Sequence, residues 1–181
     1  MEKLVEHSQI HRQNRIVVGA TLGFLLGMSA LSVYFWVTRH TVDPYHLFTP
    51  IMIAAWVVWR AGSKFTYEAD KKMLRITKTG LFGGTKQYEV PYRDIDGIFP
   101  YRPKLMSIIK TRRSFRLNSA LDGRAVWAIA YEAPGWRGKT ENRRIYFKPS
   151  EEMLKLLEEK MPSKVKVTEE EIFTRKATSG K

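Results

Sequence analysis

Two pairs of side chains have types and spacings that could support chemistry. His7 and His11 lie four residues apart, which would place two imidazoles on one helical face, as in part of a metal site. Asp94 and Asp96 lie two apart on an extended segment, where paired carboxylates could exchange protons or bind a cation. No third metal ligand lies near the histidines in sequence, and a basic residue, Arg93, stands beside the aspartates. We therefore interpret the histidines as part of a solvated lead-in and the aspartates as ordinary polar residues.

The wider sequence offers little for catalysis. It contains no cysteine, which excludes disulfides, thiolate metal sites and a cysteine nucleophile. No glycine-rich phosphate loop opens a helix, and no nucleophile elbow is present. Gly80 and Gly83 punctuate a turn between strands. We expect no catalytic residues, no cofactor and no metal.

The most apolar stretch, residues 16–37, contains no charged residue. As a helix it would be about 33 Å long, enough to cross a hydrocarbon core of about 30 Å. Gly19, Gly23 and Gly27 share one face at i, i+4 and i+8, where a second helix backbone could approach closely. Glycine is also common in membrane helices generally, and that alternative stays open. We predict a transmembrane helix over residues 16–38 with a helix-packing face.

A second apolar segment follows after a short link. We predict a helix over residues 44–62, bent near Pro50, although its uncharged part, residues 47–59, is a marginal span alone. The short link favours an antiparallel transmembrane hairpin over residues 16–62. Basic residues concentrate at the outer ends of this hairpin, which predicts cytoplasmic termini. These residues are Arg12, Arg15, Arg60 and Lys64, against Arg39 alone in the link.

From residue 64 the apolar pattern changes to a period of two, which predicts strands. Three strands in a meander come first, two more follow over residues 125–132 and 143–147, and an amphipathic helix over residues 149–161 closes the domain. We predict an α+β fold, with the transmembrane hairpin followed by an antiparallel β-barrel or sandwich capped by the C-terminal helix. The predicted division is a lead-in (1–15), the hairpin (16–62), a cytoplasmic domain (63–161) and a flexible charged tail (162–181).

Three segments carry a resemblance to a known family. YEADKKMLRI (67–76), TGLFGG (79–84) and EVPYRDIDGI (89–98) resemble the bacterial pleckstrin-homology-like domains of the YdbS type. The resemblance spans roughly residues 15–161 and implies two membrane helices ahead of a pleckstrin-homology-like domain, as a multi-pass protein of the bacterial inner membrane. Two-helix photosystem I assembly factors share a similar layout, which implies an assembly role.

The segment between Asp96 and Asp122 has no acidic residue, in a chain with a net charge of +13. Its cations interleave with aromatic and aliphatic residues, a pattern that suits an anionic membrane surface or the acidic face of a partner. The alternative is a solvated face whose charges pair with acids elsewhere. Nucleic acid is not favoured, because no nucleic-acid module is recognisable. The predicted contact residues are Arg102, Lys104, Lys110, Arg112, Arg113 and Arg116.

In the tail, Thr168 and Glu171 have the spacing of a capping box. A short helix carrying Ile172 and Phe173 would form there if a partner covered those two residues, and we expect a flexible tail without one.

Together these features predict a non-enzymatic accessory, assembly or scaffold subunit of a larger integral membrane complex, docking through its hairpin and its basic domain. The alternative is a membrane-tethered, pleckstrin-homology-like module that binds anionic lipid headgroups through the basic patch.

Overall fold

The computed structural model describes residues 3–39, 44–102, 108–135 and 138–178. The described helices are α1 (Arg12–Arg39), α2 (Pro44–Ala61), α3 (Glu151–Lys160) and α4 (Glu169–Thr178). The described strands are β1 (Leu4–His7), β2 (Lys64–Ala69), β3 (Met73–Thr79), β4 (Thr85–Pro91), β5 (Ile95–Pro100), β6 (Arg113–Arg116), β7 (Trp127–Pro134) and β8 (Thr140–Phe147).

The strands form two four-stranded sheets. The first has the antiparallel order β1-β2-β3-β4, and its alternating pattern buries Phe65, Tyr67 and Ala69 of β2. The second has the order β5-β7-β8-β6, in which the four-residue strand β6 runs parallel to β8. The predicted strands around residues 65, 75 and 88 are observed.

The core lies between the sheets and beneath α3. Tyr67 from the first sheet and Phe147 from the second meet edge to face, with ring centroids 5.7 Å apart. Met153 and Leu157 of α3 join the same cluster and are fully buried. Ser150 caps α3 by accepting a hydrogen bond from the Met153 N–H at 3.1 Å. The amphipathic pattern therefore forms α3 where the sequence predicted a helix.

The prediction of a closed barrel is wrong. Pro91 ends β4, and a 3₁₀ turn over Tyr92–Asp94 then leads the chain into the other sheet. Consecutive strands β4 and β5 thus belong to different sheets, each with its own edges, and among the described residues no strand ladder joins the two sheets. An open two-sheet arrangement replaces the predicted pleckstrin-homology-like barrel.

The prediction of a two-helix transmembrane hairpin is also wrong. Among the described residues only α1 is long and apolar enough to cross a membrane. The helix α2 packs against α1, but it is shorter, carries His46 in its first turn and Arg60 in its last, and contains Pro50. These polar and helix-breaking residues leave too short an apolar stretch for an independent span.

Candidate functional site

The helices α1 and α2 expose many large apolar side chains. Phe24 and Leu26 of α1 are each more than 60% exposed, and Trp56 of α2 is 60% exposed. A contiguous apolar surface of this kind requires lipid or protein cover. Leu25 is the one described residue of α1 that is buried.

The three glycines of α1 form an open face, which we call the glycine face (Gly19, Gly23 and Gly27). All three are exposed, and a Cβ atom added at any of them would meet no heavy atom within 4 Å. The glycine face is therefore not used for packing within the described chain. It remains available to another helix, as the helix-packing prediction requires.

The helix α2 instead occupies the other side of α1. Partly or fully covered residues recur along α1 at Leu22, Leu25, Ser29 and Ser32, which is the spacing of a helix-packing seam. The Ser32 hydroxyl lies 3.4 Å from the His46 carbonyl of α2. At about 100° per residue, Leu25 lies about 160° around the helix from Gly23. The glycine face and the seam therefore lie on nearly opposite sides.

The start of α1 is bonded directly to the soluble domain. The His11 N–H donates to the Leu121 carbonyl at 2.8 Å, and Asn14 Nδ2 donates to the same carbonyl at 3.4 Å. The lead-in that we expected to be solvated forms β1, which pairs with β2 along residues 4–7. The apolar helix is therefore attached to the domain without a flexible linker.

A buried charged cluster secures this attachment. The Arg124 guanidinium donates to the Asp122 carboxylate at 2.6 and 3.1 Å, pairs with Glu6, and donates to the His7 carbonyl at 3.3 Å. Asp122 is fully buried and also accepts from the Gln9 N–H at 3.2 Å. We call Glu6, Asp122 and Arg124 the anchor cluster. It connects the β1 segment to the loop beneath α1.

The predicted basic contact residues do not behave as one set. Arg112 pairs with Glu141 at 2.7 Å, as the solvated-face alternative anticipated. Arg102, Lys110 and Arg113 are exposed, and within the described residues none has an acidic partner. Arg116 turns to a cleft beside α2. Lys104 lies outside the described residues, so its predicted role stays a prediction.

The tail forms α4 and packs on its own domain. The Glu171 N–H donates to Thr168 Oγ1 at 3.2 Å and the Thr168 N–H to Glu171 Oε2 at 3.5 Å, which confirms the capping box. Ile172 is 1% exposed, whereas Phe173 is 53% exposed. A Cβ at Gly97 would lie 2.5 Å from Ile172, so only glycine permits this close approach. The domain therefore supplies the cover for Ile172 that we expected from a partner.

Lys176 holds the far end of α4. Its Nζ lies 2.7 Å from Asp96 Oδ2, and it donates to Glu132 Oε1 and Asn142 Oδ1, each at 2.9 Å. Burial disfavours the charged ammonium and acts to lower the pKa of Lys176, but the hydrogen bonds to Asp96 and Glu132 outweigh it and leave this pKa raised. Burial also raises the pKa of Asp96. Asp96 therefore helps to hold α4 on the second sheet.

We expect Lys176→Met to lower the free energy of unfolding by about 1–2 kcal/mol, because two charged hydrogen bonds are lost. Since folding raises the pKa of Lys176, this contribution is fully present below the unfolded pKa of about 10.4 and is lost as pH rises through the folded pKa. Thermal unfolding of both proteins between pH 8 and about pH 12 measures the difference, with Lys155→Met as an exposed control. If the difference in the free energy of unfolding between the wild type and Lys176→Met did not change with pH across this range, the stabilising role of the Lys176 charge would be contradicted.

The remaining candidates for chemistry do not assemble a site. His7 Nδ1 lies 3.1 Å from Thr66 Oγ1 across the β1–β2 ladder, and His11 packs near Gly123. Asp94 pairs with Arg93 at 3.3 Å. In the described part of the chain, no group of three or more metal-ligating side chains comes together.

Sequence reasoning did not find two buried ion pairs. One is in the anchor cluster, and the other joins Arg144 of β8 to Glu169 of α4 at 2.6 Å. Glu6 lies far from Arg124 in the sequence, and Arg144 lies far from Glu169, so local spacing gave no signal for these two pairs. The one available hint was Asp122, the acid that ends the acid-free segment.

Comparison with known proteins gives no relative: no protein-family model, curated protein or solved structure matches this chain. The resemblance to the YdbS-type family therefore rests on the quoted segments alone and stays a prediction.

Proposed function

We propose that this protein is a non-enzymatic, membrane-anchored accessory or scaffold subunit of a larger membrane complex, docking through the glycine face of α1. The observation that carries the proposal is the open glycine face on the side of α1 away from α2. Close helix approach at small residues is a principal way in which membrane helices associate. The partner we propose is a transmembrane helix of another chain.

The attachment of α1 to the domain supports a scaffold role. The anchor cluster and the bonds from His11 and Asn14 hold the base of the helix against the loop around Leu121. A partner helix bound to the glycine face would therefore be held in a fixed relation to the domain. A flexible tether would give no such constraint.

The proposed location is the bacterial cytoplasmic membrane, with the domain on the cytoplasmic side. Arg12 and Arg15 lie at the domain end of α1 and Arg39 at the other end, which agrees with the excess of basic residues on the cytoplasmic side. The assignment as non-enzymatic rests on the lack of a recognisable nucleophile and base in the sequence.

Gly23→Leu tests the docking function. The leucine side chain would fill the glycine face, and Thr21→Leu adds the same side chain about 160° around the helix. We expect the tagged wild type and Thr21→Leu to copurify with one stoichiometric membrane complex in mild detergent. We expect Gly23→Leu to recover at most about 10% of that complex, which corresponds to a loss of about 1.4 kcal/mol in binding free energy. Equal recovery with both variants would contradict docking through the glycine face.

A second candidate function is direct binding of anionic lipid headgroups by the domain. It is favoured by the exposed cations Arg102, Lys110 and Arg113, which have no acidic partner among the described residues. A polarity-sensitive fluorophore on a cysteine replacing Ile108 should shift to the blue in phosphatidylglycerol bilayers and not in phosphatidylcholine. The shift should weaken in high salt. An identical spectrum in both lipids would contradict this candidate.

A further inference from the structure

A cleft of ≈ 300 Å³ opens beside the last turn of α2. Its position is at the base of the apolar helices, since the loop that carries Asn118 continues to Leu121, the acceptor for the first residues of α1. None of its lining residues is acidic. They are Arg60, Tyr101, Arg116, Asn118, Val126 and Tyr146.

The second sheet fixes the walls of this cleft. Arg116 of β6 lies opposite Tyr146 of β8 in the parallel ladder, and the Leu117 N–H donates to the Tyr146 carbonyl at 2.8 Å. The rings of Tyr101 and Tyr146 meet edge to face with centroids 5.1 Å apart. The side chains are therefore positioned by the fold rather than by flexible loops.

The cleft concentrates positive charge. Burial, and then the neighbouring Arg116, lower the pKa of Arg60. Burial lowers the pKa of Lys148 as well, with Arg60 and Arg124 adding to the effect and Asp122 opposing it. The Asp122 carboxylate is already held by Arg124 at 2.6 Å. Like charges held together in this way are relieved by a bound anion.

The polar groups of the cleft suit an oxyanion. The Arg60 guanidinium donates to Asn118 Oδ1 at 3.4 Å, a long contact that keeps the two side chains together. Asn118 is buried, and among the described residues its Nδ2 has no hydrogen-bond acceptor. Two guanidinium groups and an amide N–H are donors that match the oxygen atoms of a phosphoryl group.

We propose that this arginine cleft, formed by Arg60, Arg116 and Asn118, binds the phosphoryl group of an anionic membrane lipid. The position at the base of α1 places it where lipid phosphates lie if α1 crosses a bilayer. A soluble phosphate compound would present the same chemistry, and the experiment separates the two sources. The inference is independent of docking through the glycine face, which lies on α1 alone.

Native mass spectrometry of the full chain in neutral detergent tests the proposal. Phosphatidylglycerol, phosphatidylcholine and inorganic phosphate are titrated separately against wild type, Arg60→Gln and Arg116→Gln. We expect phosphatidylglycerol to bind the wild type, and each variant to bind it at least about tenfold more weakly, because a charged hydrogen bond contributes about 1.5–3 kcal/mol. Arg93→Gln, an exposed arginine outside the cleft, controls for net charge.

Each outcome decides between explanations. Binding of inorganic phosphate as tight as that of phosphatidylglycerol would assign the cleft to a soluble phosphate compound and overturn the lipid assignment. Equal weakening in Arg93→Gln, or none in the cleft variants, would overturn the cleft as a site. Arg116→Lys distinguishes loss of the site from a folding defect. It keeps the positive charge but loses the planar guanidinium group, so we expect its affinity for phosphatidylglycerol to lie between those of the wild type and Arg116→Gln.

Discussion

Asp122→Asn should lower the free energy of unfolding by about 3–5 kcal/mol, because it removes the charge of a fully buried carboxylate and turns one of its acceptor oxygens into an amide donor that faces the Arg124 guanidinium. Asp122 is fully buried, and its two oxygens accept from the Arg124 side chain at 2.6–3.1 Å. It also accepts from the backbone N–H of Gln9 and of Arg124, at 3.2 and 3.0 Å. The loss should therefore extend beyond the ion pair to the β1 segment.

Hydrogen exchange measured by mass spectrometry on the full chain in detergent checks both parts of this prediction. In Asp122→Asn the amides of β1 (Leu4–His7) should exchange faster than they do in the wild type. This increase should be larger than any increase in β3 (Met73–Thr79), because β1 depends on the anchor cluster. Asp94→Asn removes a carboxylate from an exposed pair and should change stability by less than about 0.5 kcal/mol. Unchanged exchange of β1 in Asp122→Asn would show that the anchor cluster does not attach α1 to the domain.

Glu169→Gln should also lower the free energy of unfolding, by about 3 kcal/mol, since it leaves the buried Arg144 charge without its carboxylate. The two side chains are 9% and 7% exposed, and their closest atoms are 2.6 Å apart. Glu169 Oε1 also accepts from the Ile109 N–H at 3.1 Å, and the Arg144 guanidinium lies 5.5 Å from the centre of the Phe99 ring. The pair thus joins α4 to β8 and to the segment around Ile109.

Urea unfolding of the detergent-solubilised chain, followed by near-ultraviolet circular dichroism, measures this loss. Glu159→Gln changes the same side chain on the exposed face of α3 and should stay within about 0.5 kcal/mol of the wild type. If Glu169→Gln unfolds at the same urea concentration as Glu159→Gln, the ion pair contributes nothing to stability, and α4 is held by its apolar contacts and by Lys176.

The predictable parts of the fold were those with local periodicity. Alternating residues located β2, β3 and β4, the amphipathic stripe located α3, and the spacing of Thr168 and Glu171 located the start of α4. The glycine spacing on α1 was visible in the same way. Each of these signals depends on residues a few positions apart, so a linear sequence contains it.

The rest depends on contacts between distant residues. The lead-in LVEH has weak alternation, and only pairing with β2 makes it a strand. Arg60 was interpreted only as a basic residue at the outer end of the apolar helices. Its approach to Arg116 could not be predicted, because it arises only when β6 lies beside α2. The barrel or sandwich was predicted from a run of strands followed by one amphipathic helix. Closure of a barrel depends on which strand edges pair, and after Pro91 the chain enters a second sheet.

Site-directed photocrosslinking from α1 in native membranes tests the central claim, that the glycine face docks a helix of another protein. Because the chain has no cysteine, Leu26→Cys and Thr21→Cys each provide a single site for a benzophenone-maleimide. Leu26 is 67% exposed and lies about 60° around the helix from Gly23, so a label there borders the glycine face without filling it. We predict one discrete adduct from Leu26→Cys, with the mass of this chain plus one different membrane protein, and no such adduct from Thr21→Cys. Equal adducts from both positions, or only an adduct of two copies of this chain, would contradict it.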